Sequence, residues 1–175
     1  MKKRNLMLGA ALLLSAALSA QTTPAPEITH KNSWLKLGVL AGVPVGNTSD
    51  VSNATVGVDL KGQLMSTNHI GIGLTTGYNH FFAKDGYKSF GTIPLGAFVR
   101  VYPDYKGFFA GLDGGYSLLT GTSNNKGGAY VRPQLGYHNY EWNLFGFYNH
   151  IFRSDIKGGN IQSAGIGFTY NIRFN

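Results

Sequence analysis

Eight stretches of this sequence alternate, residue by residue, between apolar side chains and small or polar ones. Successive side chains of a β-strand point to opposite faces, so this alternation predicts strands with one apolar face. Turn-forming Gly, Asn, Asp and Ser residues separate the stretches. No segment between them has a helical pattern. The predicted strands span 34–45, 54–65, 69–82, 90–102, 108–120, 128–138, 142–152 and 161–174.

The connections between the predicted strands alternate in length. The first, third, fifth and seventh are longer and polar, with the sequences GNTSDVSN, AKDGYKS, GTSNNKG and RSDIKGGN. The other three are short: STN, PDYKG and NYE. Long loops at one end and tight turns at the other are typical of a transmembrane β-barrel. We therefore predict an all-β fold, an eight-stranded antiparallel up-and-down barrel in the cell outer membrane, with extracellular loops and both termini in the periplasm.

The first residues differ from the rest of the chain. A basic start, an apolar run and small residues before Gln21 predict a cleaved signal peptide over 1–20. Two prolines without periodicity predict an extended leader over 21–33, which leaves 34–175 as the barrel domain. Losing Lys2, Lys3 and Arg4 with the signal peptide lowers the formal net charge from +7 to +4. Nucleic acid is therefore not an expected partner, and the absence of cysteine excludes a disulfide scaffold.

The charges within the predicted strands lie on the face that is not apolar. Exposing an Arg or Lys to lipid at mid-bilayer costs roughly 2–4 kcal/mol, so the apolar faces are expected outside and these charges inside. An eight-stranded barrel is filled by its own side chains, which predicts a plugged lumen and no open pore. The residues expected in this polar lumen network are Asp59, Lys61, Arg100, Asp113 and Arg132.

Strands six and seven depart from the simple pattern. Pro133 lacks a backbone N–H and predicts a bulge or a local break in pairing. Strand seven is apolar on both faces. We favour an outward face that leaves Asn143 and Asn149 inside, and the outward residues are then Trp142, Leu144, Tyr148 and Phe152.

Aromatic residues cluster near the two ends of the predicted strands. Two such bands are expected at the two interfaces of a bilayer. The turn-end band comprises Trp34, Tyr102, Tyr105, Phe108, Phe109, Tyr137, Tyr140, Trp142 and Phe174. The loop-end band comprises Tyr78, Phe81, Phe82, Tyr87, Phe90, Tyr116, Tyr130, Tyr148 and Phe152.

Residues 34–174 resemble a known family through the stretches IPLGAFVRVY, KGFFAGLDGGYSLL, YVRPQLGYH and IGFTYNIRF. The family is that of small bacterial outer-membrane β-barrels of the OmpX and OmpA-transmembrane type, including the porin-like barrels of Bacteroidota. The resemblance implies fold and location, and little about activity. It also implies an assembly signal in the closing strand that the barrel-assembly machinery reads, although Asn175 follows the final aromatic residue. The signal residues are Phe168, Tyr170, Ile172 and Phe174.

The sequence offers no pattern typical of a catalytic, cofactor or metal site. The glycines of GIGLTTG (71–77) and GLDGG (111–115) recur at strand period, as expected of a narrow barrel interior, and not at the opening of a helix as in a nucleotide-binding loop. No histidine pair has metal-ligand spacing. No histidine is followed two residues later by serine, and a cross-strand pair of His80 with Ser89 lacks an orienting acid. We therefore expect no catalysis.

Three functions remain open on this basis. The first is a structural or surface-interaction barrel, expected as a monomer, whose partners are outer-membrane lipid and lipopolysaccharide and, during biogenesis, the barrel-assembly machinery. The first alternative is a narrow porin for water or small ions. The second alternative is an acyltransferase or deacylase that modifies lipid A. The loop cations expected to contact lipopolysaccharide phosphates are Lys84, Lys88, Lys126, Arg153 and Lys157.

Overall fold

The computed structural model of the protein describes residues 33–121, 127–139, 141–154 and 159–173, and the predicted signal peptide and residues 21–32 of the predicted leader lie outside them. Eight antiparallel strands pair in chain order, and β8 pairs with β1 to close a barrel. The predicted eight-stranded barrel is confirmed, with strand ends within two residues of those expected. The strands are β1 (Ser33–Pro44), β2 (Ser52–Met65), β3 (Ile70–Ala83), β4 (Phe90–Val101), β5 (Gly107–Thr120), β6 (Gly128–His138), β7 (Trp142–Phe152) and β8 (Ile161–Arg173).

The loop after β1 contains a short helix, α1 (Thr48–Val51), where the sequence predicted none. Gly46 begins this turn with a positive φ of 55°. The Thr48 hydroxyl accepts a hydrogen bond from the Gln162 backbone N–H at 2.8 Å, which ties α1 to the start of β8. Four residues are too few to produce a helical period in a sequence. No helix in the described part of the chain is long and apolar enough to cross a membrane.

An exposed apolar belt surrounds the barrel, because the predicted outward faces point outward on all eight strands. On β7, Leu144 and Tyr148 are exposed while Asn143 and Asn149 are buried, as expected. Monomeric water-soluble proteins rarely expose a continuous apolar surface of this extent. Members of the belt include Val39, Val58, Leu74, Leu95, Leu112, Leu135, Leu144 and Ile166.

Five aromatic residues that were predicted in the outer bands lie inside the barrel, so this part of the prediction is wrong. Each is at most 2% exposed. They lie near the strand ends, where a band was predicted. They occupy the alternate positions whose side chains point into the lumen, however, and not those that point outward. They are Trp34, Tyr102 and Phe109 at the turn end, and Phe81 and Tyr130 at the loop end.

The outer bands keep their outward-facing aromatic members. Phe90 instead packs, half-buried, against apolar residues inside the barrel. Tyr140 and Phe174 lie outside the described residues. The retained members are Tyr105, Phe108, Tyr137 and Trp142 at the turn end, and Tyr78, Phe82, Tyr87, Tyr116, Tyr148 and Phe152 at the loop end.

Pro133 interrupts pairing without a bulge. The ladder between β6 and β7 stops after Val131 and His150 and resumes at Gln134 and Phe147 in the same register. A proline has no N–H to donate, so the ladder loses a bond locally while the strand continues. The predicted local break is therefore confirmed.

The strands are staggered around the barrel. A path of paired residues that starts at Leu35 on β1 and passes once around the barrel ends at Val45, directly after β1 and ten positions further along the chain. A stagger of this kind accompanies strands tilted by roughly 35–45° to the barrel axis. The residues on this path are Gly62, Leu74, Ala97, Gly114, Val131, His150 and Gln162.

Candidate functional site

The centre of the lumen holds a network of buried charges around the Asp113 carboxylate. Its Oδ2 accepts hydrogen bonds from Lys61 Nζ, from Arg132 Nε at 3.0 Å and Nη2 at 2.7 Å, and from Gln134 Nε2 at 2.8 Å. Lys61 also donates to the Thr75 hydroxyl at 3.2 Å. All of these side chains are at most 4% exposed. Buried charges are stable only when they are paired and hydrogen-bonded, and this network provides both.

One contact of this network crosses the lumen. Arg132 Nη2 on β6 donates to Asp59 Oδ1 on β2 at 2.7 Å. Three strands separate β2 from β6 in either direction around the barrel, so the two strands face each other. Asp59 Oδ2 also lies 3.5 Å from Lys61 Nζ. The structure thus joins four of the five predicted network residues in a bridge across the barrel.

Arg100, the fifth predicted residue, joins the bridge through an amide. Its Nη2 donates to Gln134 Oε1 at 2.9 Å, and Gln134 in turn donates to Asp113. The guanidinium also lies over two aromatic rings, at 4.7 Å from the centroid of Phe109 and 5.3 Å from that of Phe145. Cation–π contacts of this kind stabilise a desolvated guanidinium. Arg100 therefore links the charged layer to the aromatic residues beside it.

The lumen also contains polar residues that the sequence analysis did not place in the network. Lys36, which lies near a strand end, is 1% exposed and donates to Asn171 Oδ1 at 2.7 Å. Asn143 Nδ2 donates to the same oxygen at 2.9 Å. Tyr102 donates its hydroxyl to Gln63 Oε1 at 2.8 Å. Strand parity was the signal that could have found these residues, because all of them share the inward face.

Apolar clusters fill the lumen on both sides of the charged layer. Lumen-facing positions alternate with outward-facing positions along each strand. Bulky residues at the lumen-facing positions pack against one another inside the barrel. The cluster in the turn half comprises Trp34, Leu40, Met65, Tyr102, Phe109, Phe145 and Phe147. The cluster at the loop end comprises Phe81, Leu119, Tyr130, Ile151 and Ile161.

The three predicted loop cations that the structure describes do not form a single patch. Lys84 and Lys88 are exposed in the loop between β3 and β4. Arg153 directly follows β7, on the opposite side of the barrel from β3. Lys126 and Lys157 lie outside the described residues.

Arg153 lies in a groove of about 460 Å³ at the loop end of the barrel. Its backbone N–H donates to Asn160 Oδ1 at 2.8 Å, while its side-chain Nε is buried without a hydrogen-bond partner among the described residues. Partial burial lowers the pKa of the guanidinium from its ordinary value, yet an arginine remains charged at neutral pH. The walls include Tyr116, Gly128, Ala129, Phe152 and Asn160.

His80 and Ser89 have separate partners. His80 Nδ1 lies 3.3 Å from the Tyr78 hydroxyl. The Ser89 hydroxyl accepts a hydrogen bond from the Ala83 backbone N–H at 3.1 Å. Within the described ranges, no group of three or more His, Asp or Glu side chains is placed to hold a metal ion.

The residues of the predicted assembly signal form part of the outer surface of β8. Phe168, Tyr170 and Ile172 are 37%, 51% and 39% exposed, on the face that carries the apolar belt. Phe174 lies outside the described residues.

Three solved structures resemble the whole barrel. A de novo designed transmembrane β-barrel matches with a TM-score of 0.50 and 16% identity, over 79% of this chain and 95% of its own. Ail, the attachment invasion locus protein of Yersinia pestis, in complex with the heparin analogue sucrose octasulfate, matches with a TM-score of 0.51 and 12% identity, over 81% and 98%. The N-terminal β-barrel domain of Pseudomonas aeruginosa OprF matches with a TM-score of 0.45 and 10% identity, over 78% and 97%.

These similarities concern the fold. The first two establish that the chain has the architecture of transmembrane β-barrels, and the resemblance to small outer-membrane barrels noted in the sequence is confirmed at that level. No protein-family model matches the sequence, and the comparison with curated proteins finds no match.

Proposed function

We propose that the protein is an outer-membrane β-barrel with a structural and surface-interaction role, a closed lumen and no catalytic activity. The observation that carries this proposal is the contact between Asp59 and Arg132 across the barrel, inside a wall whose outer face is apolar on every strand. A contact between side chains of opposite strands obstructs passage along the barrel axis. The two apolar clusters on either side of this contact support the same conclusion.

The exposed belt supports the placement in a membrane. Leu74 is 73% exposed, Leu135 is 65% exposed and Ile166 is 64% exposed, although they lie on three different strands. Water would penalise each such side chain by roughly 1.5–3 kcal/mol relative to an apolar surrounding. A bilayer removes this penalty around the whole circumference, and the loop-end and turn-end aromatic residues then lie at its two interfaces.

The surface-interaction role rests on cations at the loop end. Lys84, Lys88 and Arg153 are the described members of the set predicted to contact lipopolysaccharide. The complex with a heparin analogue is a property of Ail, and the proposal for this chain depends on its own cations. Extracellular loops, periplasmic termini, a monomeric state and recognition of β8 by the barrel-assembly machinery remain predictions.

Two measurements test the proposed function. Cell fractionation followed by gels of heated and unheated samples should find the protein in the outer membrane with a heat-dependent change in mobility. A folded protein that is soluble without detergent would contradict the membrane placement.

Recordings in planar bilayers test the closed lumen separately. The purified wild-type barrel should give no stable single-channel conductance, because the Asp59–Arg132 contact crosses the lumen. A reproducible conductance would instead favour the alternative of a narrow porin for water or small ions.

A further inference from the structure

The chain contains an internal repeat at the loop ends of two opposite strands. The sequence YNHFFA spans 78–83 at the end of β3, and YNHIFR spans 148–153 at the end of β7. In both copies the tyrosine hydroxyl lies 3.3 Å from the histidine Nδ1. In both, the histidine ring also contacts the following outward phenylalanine, with centroids 4.8 Å apart on β3 and 4.2 Å apart on β7.

The inward residues of the two copies also correspond. Asn79 and Asn149 both face the lumen side, and Phe81 and Ile151 both belong to the loop-end apolar cluster. The two strand ends are therefore built alike. Their one other difference replaces apolar Phe81 by apolar Ile151, whereas the last residue is Ala83 in one copy and Arg153 in the other. Arg153 is therefore the charged residue that distinguishes the copy on β7 from the copy on β3.

The surroundings of Arg153 form a site with an unused donor. The stem of its side chain passes over Gly128, where an added Cβ would lie 3.0 Å from Arg153 Cγ. The buried Nε has no hydrogen-bond partner among the described residues. A buried donor without a partner costs about 1–3 kcal/mol, so a ligand that accepts from it is stabilised.

The shape and position of the groove define the ligand chemistry. A guanidinium presents two parallel N–H donors that match two oxygens of a phosphate. The outward rings of Tyr116 and Phe152, 47% and 50% exposed, border the groove on the side of the apolar belt. A ligand in this position has its anionic head at Arg153 and its apolar part against these rings and Ala129.

We propose that this groove binds the phosphate group of an outer-leaflet glycolipid, with Arg153 holding the phosphate and Tyr116 and Phe152 flanking the first carbons of the acyl chains. This inference rests on the proposed outer-membrane placement, which locates the loop-end aromatic band at the level of lipid headgroups. The opposite strand end, with Ala83 in place of the arginine, provides no such site.

Lipid binding by the full barrel in detergent micelles tests the proposal. Native mass spectrometry would follow titration with lipid A carrying its phosphates, with dephosphorylated lipid A and with inorganic phosphate. The variants are Arg153→Ala, Arg153→Gln, which keeps most of the side-chain stem, and Lys106→Ala, a control that removes an exposed cation from the turn between β4 and β5. A heat-dependent gel shift of each variant verifies that it is folded.

Both Arg153 variants should bind phosphorylated lipid A more weakly than the wild type by on the order of tenfold, the loss expected for charge-assisted hydrogen bonds. Lys106→Ala should bind phosphorylated lipid A like the wild type. The wild type should bind dephosphorylated lipid A as weakly as Arg153→Ala binds phosphorylated lipid A. Equal binding by the wild type and folded Arg153→Gln would overturn the proposal. Displacement of lipid A by inorganic phosphate at equal concentration would identify a site for free anions and also overturn it.

The outcome for the groove is separable from that of the proposed function. A barrel that fractionates with the outer membrane and shifts on heating, but whose lipid binding ignores Arg153, would refute the groove alone. A protein that stays soluble without detergent would refute the membrane placement on which both depend.

Discussion

At the scale of single residues, the charge network in the lumen depends most on Asp113. Asp113 lies on β5. Its carboxylate accepts hydrogen bonds from Lys61 on β2 and from Arg132 and Gln134 on β6. Asp59 is the other carboxylate of the network, and its ion pairs with described residues are those with Lys61 and Arg132. The two cations therefore depend on Asp113 for most of their hydrogen bonds.

Replacing Asp113 by Asn should lower the free energy of unfolding by about 3–5 kcal/mol, because it breaks a buried ion pair and leaves a cation uncompensated. Urea titration in micelles, monitored by tryptophan fluorescence, measures this loss. Ser117→Ala is the matched control on the same inward face, since Ser117 is 1% exposed and its hydroxyl has no hydrogen-bond partner among the described residues. Equal effects of the two substitutions would contradict the role of Asp113.

At the scale of elements, the seam between β1 and β8 depends on two glycines that face each other. Gly42 pairs with Gly165, and a Cβ added to Gly165 would lie 2.6 Å from the Gly42 Cα. The strands therefore approach more closely here than side chains permit. A side chain at Gly165 would therefore push apart the two strands that close the barrel.

Gly165→Val should destabilise the barrel by about 1–3 kcal/mol through overpacking, and should reduce the fraction that refolds to the heat-modifiable form. Gly62→Val offers a comparison, because a Cβ at Gly62 meets no atom within 4 Å. Densitometry of unheated gels gives the folded fraction of each variant. If Gly62→Val reduced folding as strongly as Gly165→Val, the loss would reflect valine itself and not the seam.

The outer face of β4 provides a second test of an element. Leu95 lies near the middle of the strand and is 49% exposed, whereas Val101 lies at its turn end and is 44% exposed. In a bilayer, Leu95→Arg should cost about 2–4 kcal/mol and Val101→Arg about 0–1 kcal/mol. Unfolding titrations in lipid vesicles measure the difference. Equal costs at the two depths would argue against a membrane around this belt.

At the scale of the whole molecule, the proposed orientation places the loops outside the cell. The sequence contains no cysteine, so single-cysteine variants report on one position each. Lys84 lies in the loop after β3 and Asn68 in the turn before it, and both are exposed. These two sites mark opposite ends of the same strand.

Lys84→Cys should react with a membrane-impermeant maleimide in intact cells, whereas Asn68→Cys should react only after the outer membrane is permeabilised. Gel mobility after labelling with a polymer-linked maleimide provides the measurement. The reverse pattern would show that the barrel is inserted in the opposite direction, and equal labelling of both sites would argue against the insertion itself.

The sequence by itself determined the number, order and facing of the strands. These properties follow from local causes: side chains alternate with period two, and turn residues interrupt that period. The same parity predicted that Asp59, Asp113 and Arg132 face inward. The same parity argument correctly predicted the lumen face of β7, because its two asparagines lie on that face.

Only the tertiary structure decided which inward residues meet. The contact of Asp59 with Arg132 and the groove at Arg153 both depend on the stagger of the strands, which accumulates over eight pairings and closes only once the barrel is complete. The prediction of the aromatic bands was wrong for a different reason: it used position along the strand, whereas parity determines which side of the wall a side chain faces. Contacts across a lumen join residues distant in the sequence, and no local pattern encodes their distance.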